Sequence, residues 1–389
     1  MRDGWKEIGL EELETSGVIK LGRGDVISKK DMEADPGPNP VYSSAENKNG
    51  MIGKYAKFMF DEELITWSVD GGGHIFYRPK HKFSVTNIGG WLRILDNKVF
   101  SYQFLTYALQ RLHKQHSFDW QHKAHPSVIR KLYTRIPLPS LPEQKRIVDL
   151  ISSVDSYIEA LQQQLEGAKR SRNAVLHELL TAGGDDWVET TLGEVAEVIG
   201  GGTPSTTIGE YWDGDIVWLT PTEITSQDGK VVSDSIRKIT DLGFKNSGAQ
   251  MLPKDSVILT SRASVGFVAL AGKELCTNQG FQSLIPKPSV LSKFLMFWIQ
   301  LNRPEFESRS AGSTFKEISK SNVKSIKLEL PPLAEQKRIV EIVNTIDEFI
   351  SQTELTSSKA QKLRSGLLSD LLSGEHEIPV SYDKVIGAA

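Results

Sequence analysis

The side chains best placed to do chemistry in this sequence are hydrogen-bond donors and cations, gathered in short glycine-punctuated segments. In the first half, SAENKNGMIGKYAK (44–57) offers Asn47, Lys48, Asn49 and Lys54, and GGGHIFYRPKHKFSVTN (71–87) offers His74, Tyr77, Arg78, Lys80, Lys82 and Asn87. In the second half the counterparts are Thr203, Ser205 and Thr206 of TPST (203–206), then Thr220, Thr222, Arg262, Asn278 and Gln279, and finally Ser313, Thr314 and Lys316 of GSTFK (312–316). On exposed loops, such residues can donate to base edges and phosphates, and the glycines let a backbone come close. The plainer alternative for any one of them is a polar turn with a solvated side chain. Trp212 and Trp218 read as core.

Bond-making chemistry is harder to find. NPVY (39–42) is a poor match to the N-P-P-Y of adenine methyltransferases, because Val41 replaces the second proline and no glycine-rich cofactor loop precedes it. GGGH (71–74) and IGGGTP (199–204) lack both the Lys-Ser/Thr ending of a phosphate loop and dinucleotide-binding spacing, so they read as turns. HKQHSFDWQHKAH carries His113, His116, His122 and His125, but zinc sites of that density normally include cysteines or tight helical spacing. A polar surface loop is the expectation there, with no metal.

Charge supports a polyanionic partner locally rather than globally. The formal net charge is -3 over 389 residues, yet residues 43–135 hold 14 Lys or Arg against 7 Asp or Glu, and residues 254–327 hold 11 against 5. Each half of the chain thus has a positive portion able to attract phosphates. No apolar run approaches the roughly 18 residues that span a bilayer. The acidic start MRDGWKEIGLEELE and the single cysteine, Cys276, point to the cytoplasm.

The elements that must hold these loops come from an internal repeat. Shifted by 192 residues, LPSLPEQKRIV (138–148) falls on LPPLAEQKRIV (330–340), and 16 of 45 positions agree between 138–182 and 330–374. Among them are Asp155 with Asp347 and Arg172 with Arg364. Prolines stand at the start of each copy and glycines at its end, which predicts long helices at 142–181 and 334–373. Apolar residues at Ile147, Ile151, Val154, Ile158, Leu161, Leu165, Ala168, Val175 and Leu179 step by three and four, as in a coiled-coil seam. The second copy follows with Ile339, Val343, Ile346, Ile350, Ala360, Leu367 and Leu371, interrupted by Thr353 and Ser357, where packing should be weaker. Arg172 and Arg364 share one seam position and either fix register or, more commonly for the end of a seam, extend to solvent.

The two helices most simply pair antiparallel as a strut with a globular domain at each end, related by a pseudo-twofold axis. Trp5-Lys6-Glu7 with Leu10 corresponds to Trp187-Val188-Glu189 with Leu192, and YQFLTYALQRL (102–112) resembles KFLMFWIQLN (293–302). Between them lie β-rich runs such as ELITWSV (63–69), DIVWLT (215–220) and DSVILTSRASVGFVAL (255–270). The fold expected is α+β: domains at 1–136 and 185–328, helices within 137–184 and 329–374, and a tail at 375–389 with no assigned role.

The doubled P-x-L-x-EQ-K-R-I-V segments, the LLxG-like helix endings, and GGGTPST (200–206), DGDIVW (213–218), SRASVG (261–266) and TNQG (277–280) resemble the specificity subunits of type I restriction-modification systems. The likeness covers nearly the whole chain and implies two α/β target-recognition domains, each contacting one half of a bipartite double-stranded DNA site. It implies a non-catalytic chain without a cofactor of its own. Its helices would dock two DNA methyltransferase subunits that use S-adenosylmethionine, and motor-nuclease subunits that use ATP would join for restriction.

Overall fold

The computed structural model describes residues 5–44, 48–70, 74–118, 121–312 and 316–383. The chain divides into two compact units, one of Met1–Gln162 with Leu355–Ala389, the other of Gln163–Glu354. Each long helix, Leu141–Thr181 and Leu333–Ser373, is therefore shared between the units, and its bounds lie within a residue of those expected.

In the first unit six strands run in the order Ile19–Arg23, Gly89–Ile94, Phe60–Ser68, Ile75–Val85, Asn39–Tyr42, Met51–Tyr55. All neighbours are antiparallel except Asn39–Tyr42, which lies parallel to Ile75–Val85. The amphipathic helix Tyr102–His113 covers the sheet with Phe104, Leu105, Ala108 and Leu109 buried. Lys6–Ile8 pairs with Ile136–Leu138, closing the globular segment on the strand that leads into the first long helix. Trp5, Leu10, Phe104 and Tyr133 share one core with Ile147, Val148 and Ile151 of the first long helix, Leu371 and Leu372 of the second, and Ile378 beyond it. The tail thus belongs to this core, and the Arg146 guanidinium holds it by donating to the Ile378 carbonyl (3.1 Å) and pairing with Asp383 (3.0 Å).

The second unit has a five-stranded sheet in the order Ala196–Gly200, Gln282–Pro286, Val257–Leu259, Val268–Ala271, Val231–Val232, and a three-stranded one of Arg237–Ile239, Trp212–Leu219 and Cys276–Thr277. Val188–Thr191 pairs with Lys327–Leu330 just as the entry and exit strands of the first unit do. Helix Ser292–Leu301 buries Phe294, Leu295, Phe297 and Ile299 in a core completed by Leu176 and Leu180 of the first long helix and Ile339 and Val343 of the second. Leu176 and Leu180 are more buried than the Val175 and Leu179 expected from the seam, because this end of the helix faces the globular core.

Within each unit the two long helices run antiparallel. In the first, Val154, Ile158 and Leu161 meet Ala360, and Asp155 pairs with Arg364. In the second, Arg172 pairs with Asp347, and Lys169 with Glu354 (2.9 Å). The repeat-related pairs are the same interaction made twice with the chain order exchanged. The seam arginines do not extend to solvent as end-of-seam arginines commonly do. Arg172 and Arg364 are 15% and 25% exposed, fork onto a carboxylate of the opposite helix, and lie over Phe297 and Tyr107 of the covering helices. Thr353 and Ser357, the two seam interruptions, are buried.

The repeated EQ explains itself at Gln144 and Gln336, both fully buried. Gln144 accepts from the Ser101 N–H (2.9 Å) and donates to the carbonyls of Val99 (2.8 Å) and Pro139 (3.1 Å). Gln336 accepts from the Leu291 N–H (2.8 Å) and donates to Ser289 (3.0 Å) and Pro331 (2.9 Å). Each ties a long helix to the start of the helix covering its sheet. Among the described residues no helix is long and apolar enough to cross a membrane.

Candidate nucleic-acid interface

One loop junction is built in both units. In the first, the strand Ile19–Arg23 exits into Gly24-Asp25, where the Asp25 N–H donates to the Val85 carbonyl (3.0 Å), while the Thr86 N–H donates to that of Tyr42 (2.9 Å). In the second, Ala196–Gly200 exits into Gly201-Gly202, where the Gly202 N–H donates to the Thr277 carbonyl (2.9 Å), while the Asn278 N–H donates to that of Leu219 (3.0 Å). The strand registers agree, Arg23 facing Gly90 and Gly200 facing Gln282. A Cβ on Gly24 would lie 1.9 Å from the Val85 carbonyl oxygen and one on Gly201 2.0 Å from that of Asn278, so the close approach demands glycine at both.

In the second unit this junction gathers the residues singled out in the sequence. The indole N–H groups of Trp212 and Trp218, both buried, donate to the carbonyls of Ser205 (3.0 Å) and Gly202 (2.9 Å) and so hold the GGTPS loop. Thr203 donates to the Gln279 side chain; Ser205 and Thr206 are exposed beside it. Asn278 spends its Oδ1 on the Gly280 N–H (2.8 Å), and Thr220 is engaged with Glu223 through its N–H (2.9 Å) and hydroxyl (2.6 Å), leaving Thr222 and Gln279 exposed. The Ser261 N–H donates to the Gly280 carbonyl (2.8 Å) and the Ala263 N–H to that of Lys316 (3.0 Å), which brings the Arg262 and Lys316 loops alongside. Arg262 is paired with Glu317 (2.8 Å), whereas Lys316 is exposed. Ser313 and Thr314 lie outside the described residues.

In the first unit Asn49, Lys54, His74, Lys80, Lys82 and Asn87 are exposed. Asn87 occupies the place that Gln279 has in the other unit, and its carbonyl accepts from Arg23. Lys82 lies over the Phe58 ring (4.8 Å) and His74 stacks on Phe76 (6.3 Å). Asn47 and the Lys48 side chain lie outside the described residues. Tyr77 is half-buried, its hydroxyl donating to Glu63 (2.5 Å); burial, then the Glu63 carboxylate, raises its pKa.

Arg78 requires a correction, since it is only 4% exposed and offers no guanidinium to solvent. It lies 3.6 Å over the Tyr42 ring and donates to Thr66 Oγ1 (2.8 Å) and the Asn49 carbonyl (2.7 Å), with burial pulling its pKa down to about 10. A bulge in its own strand, where Pro79 and Lys80 together lie opposite Glu63, turns it inward. Arg78 thereby fixes the Lys48–Gly50 turn from within.

The histidine segment is also corrected. His113 is buried, stacked on Phe118 (4.6 Å) and bonded to the Tyr133 hydroxyl, and His116 stacks on Tyr133 (6.0 Å), so these two belong to an aromatic cluster rather than a polar surface loop. Burial raises the pKa of Tyr133. Among the described residues no group of three or more His, Cys, Asp or Glu is arranged to hold a metal ion.

A doubled α+β module, each copy closed on halves of the same two long helices and carrying the same glycine-tightened junction, defines a two-part protein with one candidate interface in each unit. The chain belongs to the family described as type I restriction modification DNA specificity domain, which it matches twice, over residues 4–170 and 184–363. It is 36% identical over 180 residues to the type I restriction enzyme MjaIX specificity subunit of Methanocaldococcus jannaschii, a match spanning 46% of this chain and 42% of that protein. The fold is shared with the type I restriction-modification S subunit from M. genitalium, at TM-score 0.59 and 18% identity over 95% of this chain and 96% of that one. It is shared too with a chain from a structure describing complex assembly of the type I system, at TM-score 0.60 and 17% identity over 96% and 98%.

Proposed function

We propose that this chain is the DNA-recognition subunit of a type I restriction-modification complex, acting in the cytoplasm and carrying no catalytic site or cofactor of its own. Residues 1–136 and 185–328 are the readers, one for each half of a bipartite duplex target. The helices within 137–184 and 329–374 dock two DNA methyltransferase subunits that bring S-adenosylmethionine, and motor-nuclease subunits that use ATP. The observation that carries this reading is the loop junction built twice, with Asn87 and Gln279 in equivalent exposed places, each in a unit that also exposes candidate lysines such as Lys82 and Lys316. Amide and ammonium donors on rigid, glycine-tightened loops suit base edges and phosphates, and they match no hydrolytic or transfer chemistry.

The test is methylome sequencing of cells that express the chain with its methyltransferase, before and after residues 187–328 are exchanged for those of a relative. One half of the modified motif should change and the other persist. A change in both halves, or the absence of a bipartite motif with the unaltered chain, overturns the assignment.

A further inference from the structure

A single exposed aliphatic side chain needs no explanation on a protein surface. Recurrence beside the candidate interface of each unit does. Among the described residues, Val26 is the most exposed large apolar side chain of the first unit, at 77%, and Ile236 that of the second, at 87%. Val26 lies one residue beyond the first junction, where the second unit has Thr203, and Ile236 lies on a neighbouring loop tied to the second junction through Glu223 and Thr220.

Val26 follows Asp25, whose N–H is fixed to the Val85 carbonyl, and two residues later Ser28 closes a capping box with Asp31, so the segment is anchored on both sides of the exposed side chain. The Ile236 N–H donates to Glu223 Oε1 (2.8 Å), and the other oxygen of that carboxylate holds the Thr220 N–H and hydroxyl. Ser235 Oγ accepts from the Trp218 N–H (3.1 Å) and donates to the Arg237 carbonyl (2.6 Å). Two well-anchored loops thus hold a β-branched side chain out in water beside hydrogen-bonding groups that could read bases. β-branching restricts the side chain to few rotamers, so little freedom is lost when it meets a partner.

We propose that Ile236 and Val26 each contact the C5-methyl group of a thymine in the major groove, one in each half of the target. This rests on the DNA-recognition reading given above. The thymine methyl is the one apolar feature on a base edge in that groove, and amide or hydroxyl donors, which meet the same O4 acceptor on thymine and uracil, cannot distinguish it from the bare C5–H of uracil. An aliphatic side chain among polar readers supplies that discrimination.

The experiment takes the bipartite motif from the methylome of the unaltered chain with its methyltransferase. It then measures binding of that complex to target duplexes in which deoxyuridine replaces thymidine, one position at a time. Loss of one buried methyl contact should weaken binding about three- to fivefold at one position in each half. Ile236→Ala should bind thymidine and deoxyuridine duplexes alike at its position while keeping the sensitivity in the other half, and Val26→Ala should do the reverse. Both side chains are exposed, so neither variant should impair folding. If the unaltered complex binds every deoxyuridine duplex as tightly as the thymidine one, the methyl contact is refuted while the DNA-recognition reading stands. If Ile236→Ala weakens both kinds of duplex equally, the side chain acts as a wedge between base steps and the thymine contact is overturned. Absence of any bipartite motif removes the DNA-recognition reading and this proposal together.

Discussion

Arg78 is buried to satisfy a turn, and Arg262, on a surface loop, is spent on Glu317. In both, an arginine that a sequence offers as a free cation is already committed. Replacing Arg78 with Met strands the Thr66 hydroxyl and the Asn49 carbonyl, so urea denaturation should show a loss of about 1–3 kcal/mol. Cys276 is fully buried in the strand leading to Asn278, and burial pushes its thiol up to about 12. In the native chain it should resist alkylation near pH 8 and react on unfolding. A thiol whose folded value is raised contributes stability that is intact below its unfolded value of about 8.5 and is lost as pH rises from there toward 12. Native thiol labelling at pH 8 as fast as in denaturant would show that the junction opens freely.

Among the elements, the long helices were the most legible part of the sequence, because one helix's heptad spacing is local and a doubled motif advertises it. The Asp155–Arg364 and Arg172–Asp347 pairs were half legible: the repeat marked all four residues, but which aspartate meets which arginine depends on antiparallel pairing across more than 170 residues. The junctions were legible only as composition. Their assembly depends on a parallel pairing between strands distant in sequence, Trp218 with Cys276 and Val41 with Ser84, which no window of sequence contains. Arg78 was misread because RPKHK resembles a solvated basic run; the bulge at Pro79-Lys80 that turns residue 78 inward lies within that run, where the proline was its one local signal. Asp155→Arg alone sets two guanidinium groups together and Arg364→Asp alone two carboxylates. The double exchange should restore the pair, with a coupling of about 1 kcal/mol in a thermal-denaturation double-mutant cycle. Strict additivity of the two single changes would show that the ion pair does not couple the helices.

At the scale of the whole molecule, sequence order and structural order part company. The second unit is one continuous stretch, Gln163–Glu354, whereas the first is completed only by Leu355–Ala389, which supplies Leu371, Leu372 and Ile378 to its core. A chain ending at Glu354 should therefore keep a protease-resistant second unit and lose the first. Mass spectrometry of limited digests decides between this and the opposite pattern, in which residues 1–162 survive alone.

That discontinuity has a bearing on birth as well as on stability. A ribosome adding roughly 5–20 residues per second needs on the order of ten to forty seconds to travel from residue 162 to residue 355. Through that interval the nascent first unit exposes the face of Trp5 and Phe104 that Leu371, Leu372 and Ile378 will cover. The half of the protein made first is finished last. A chaperone engaging this chain during translation should therefore hold its beginning, not its middle, and a premature stop anywhere in the final helix should expose the N-terminal half to degradation.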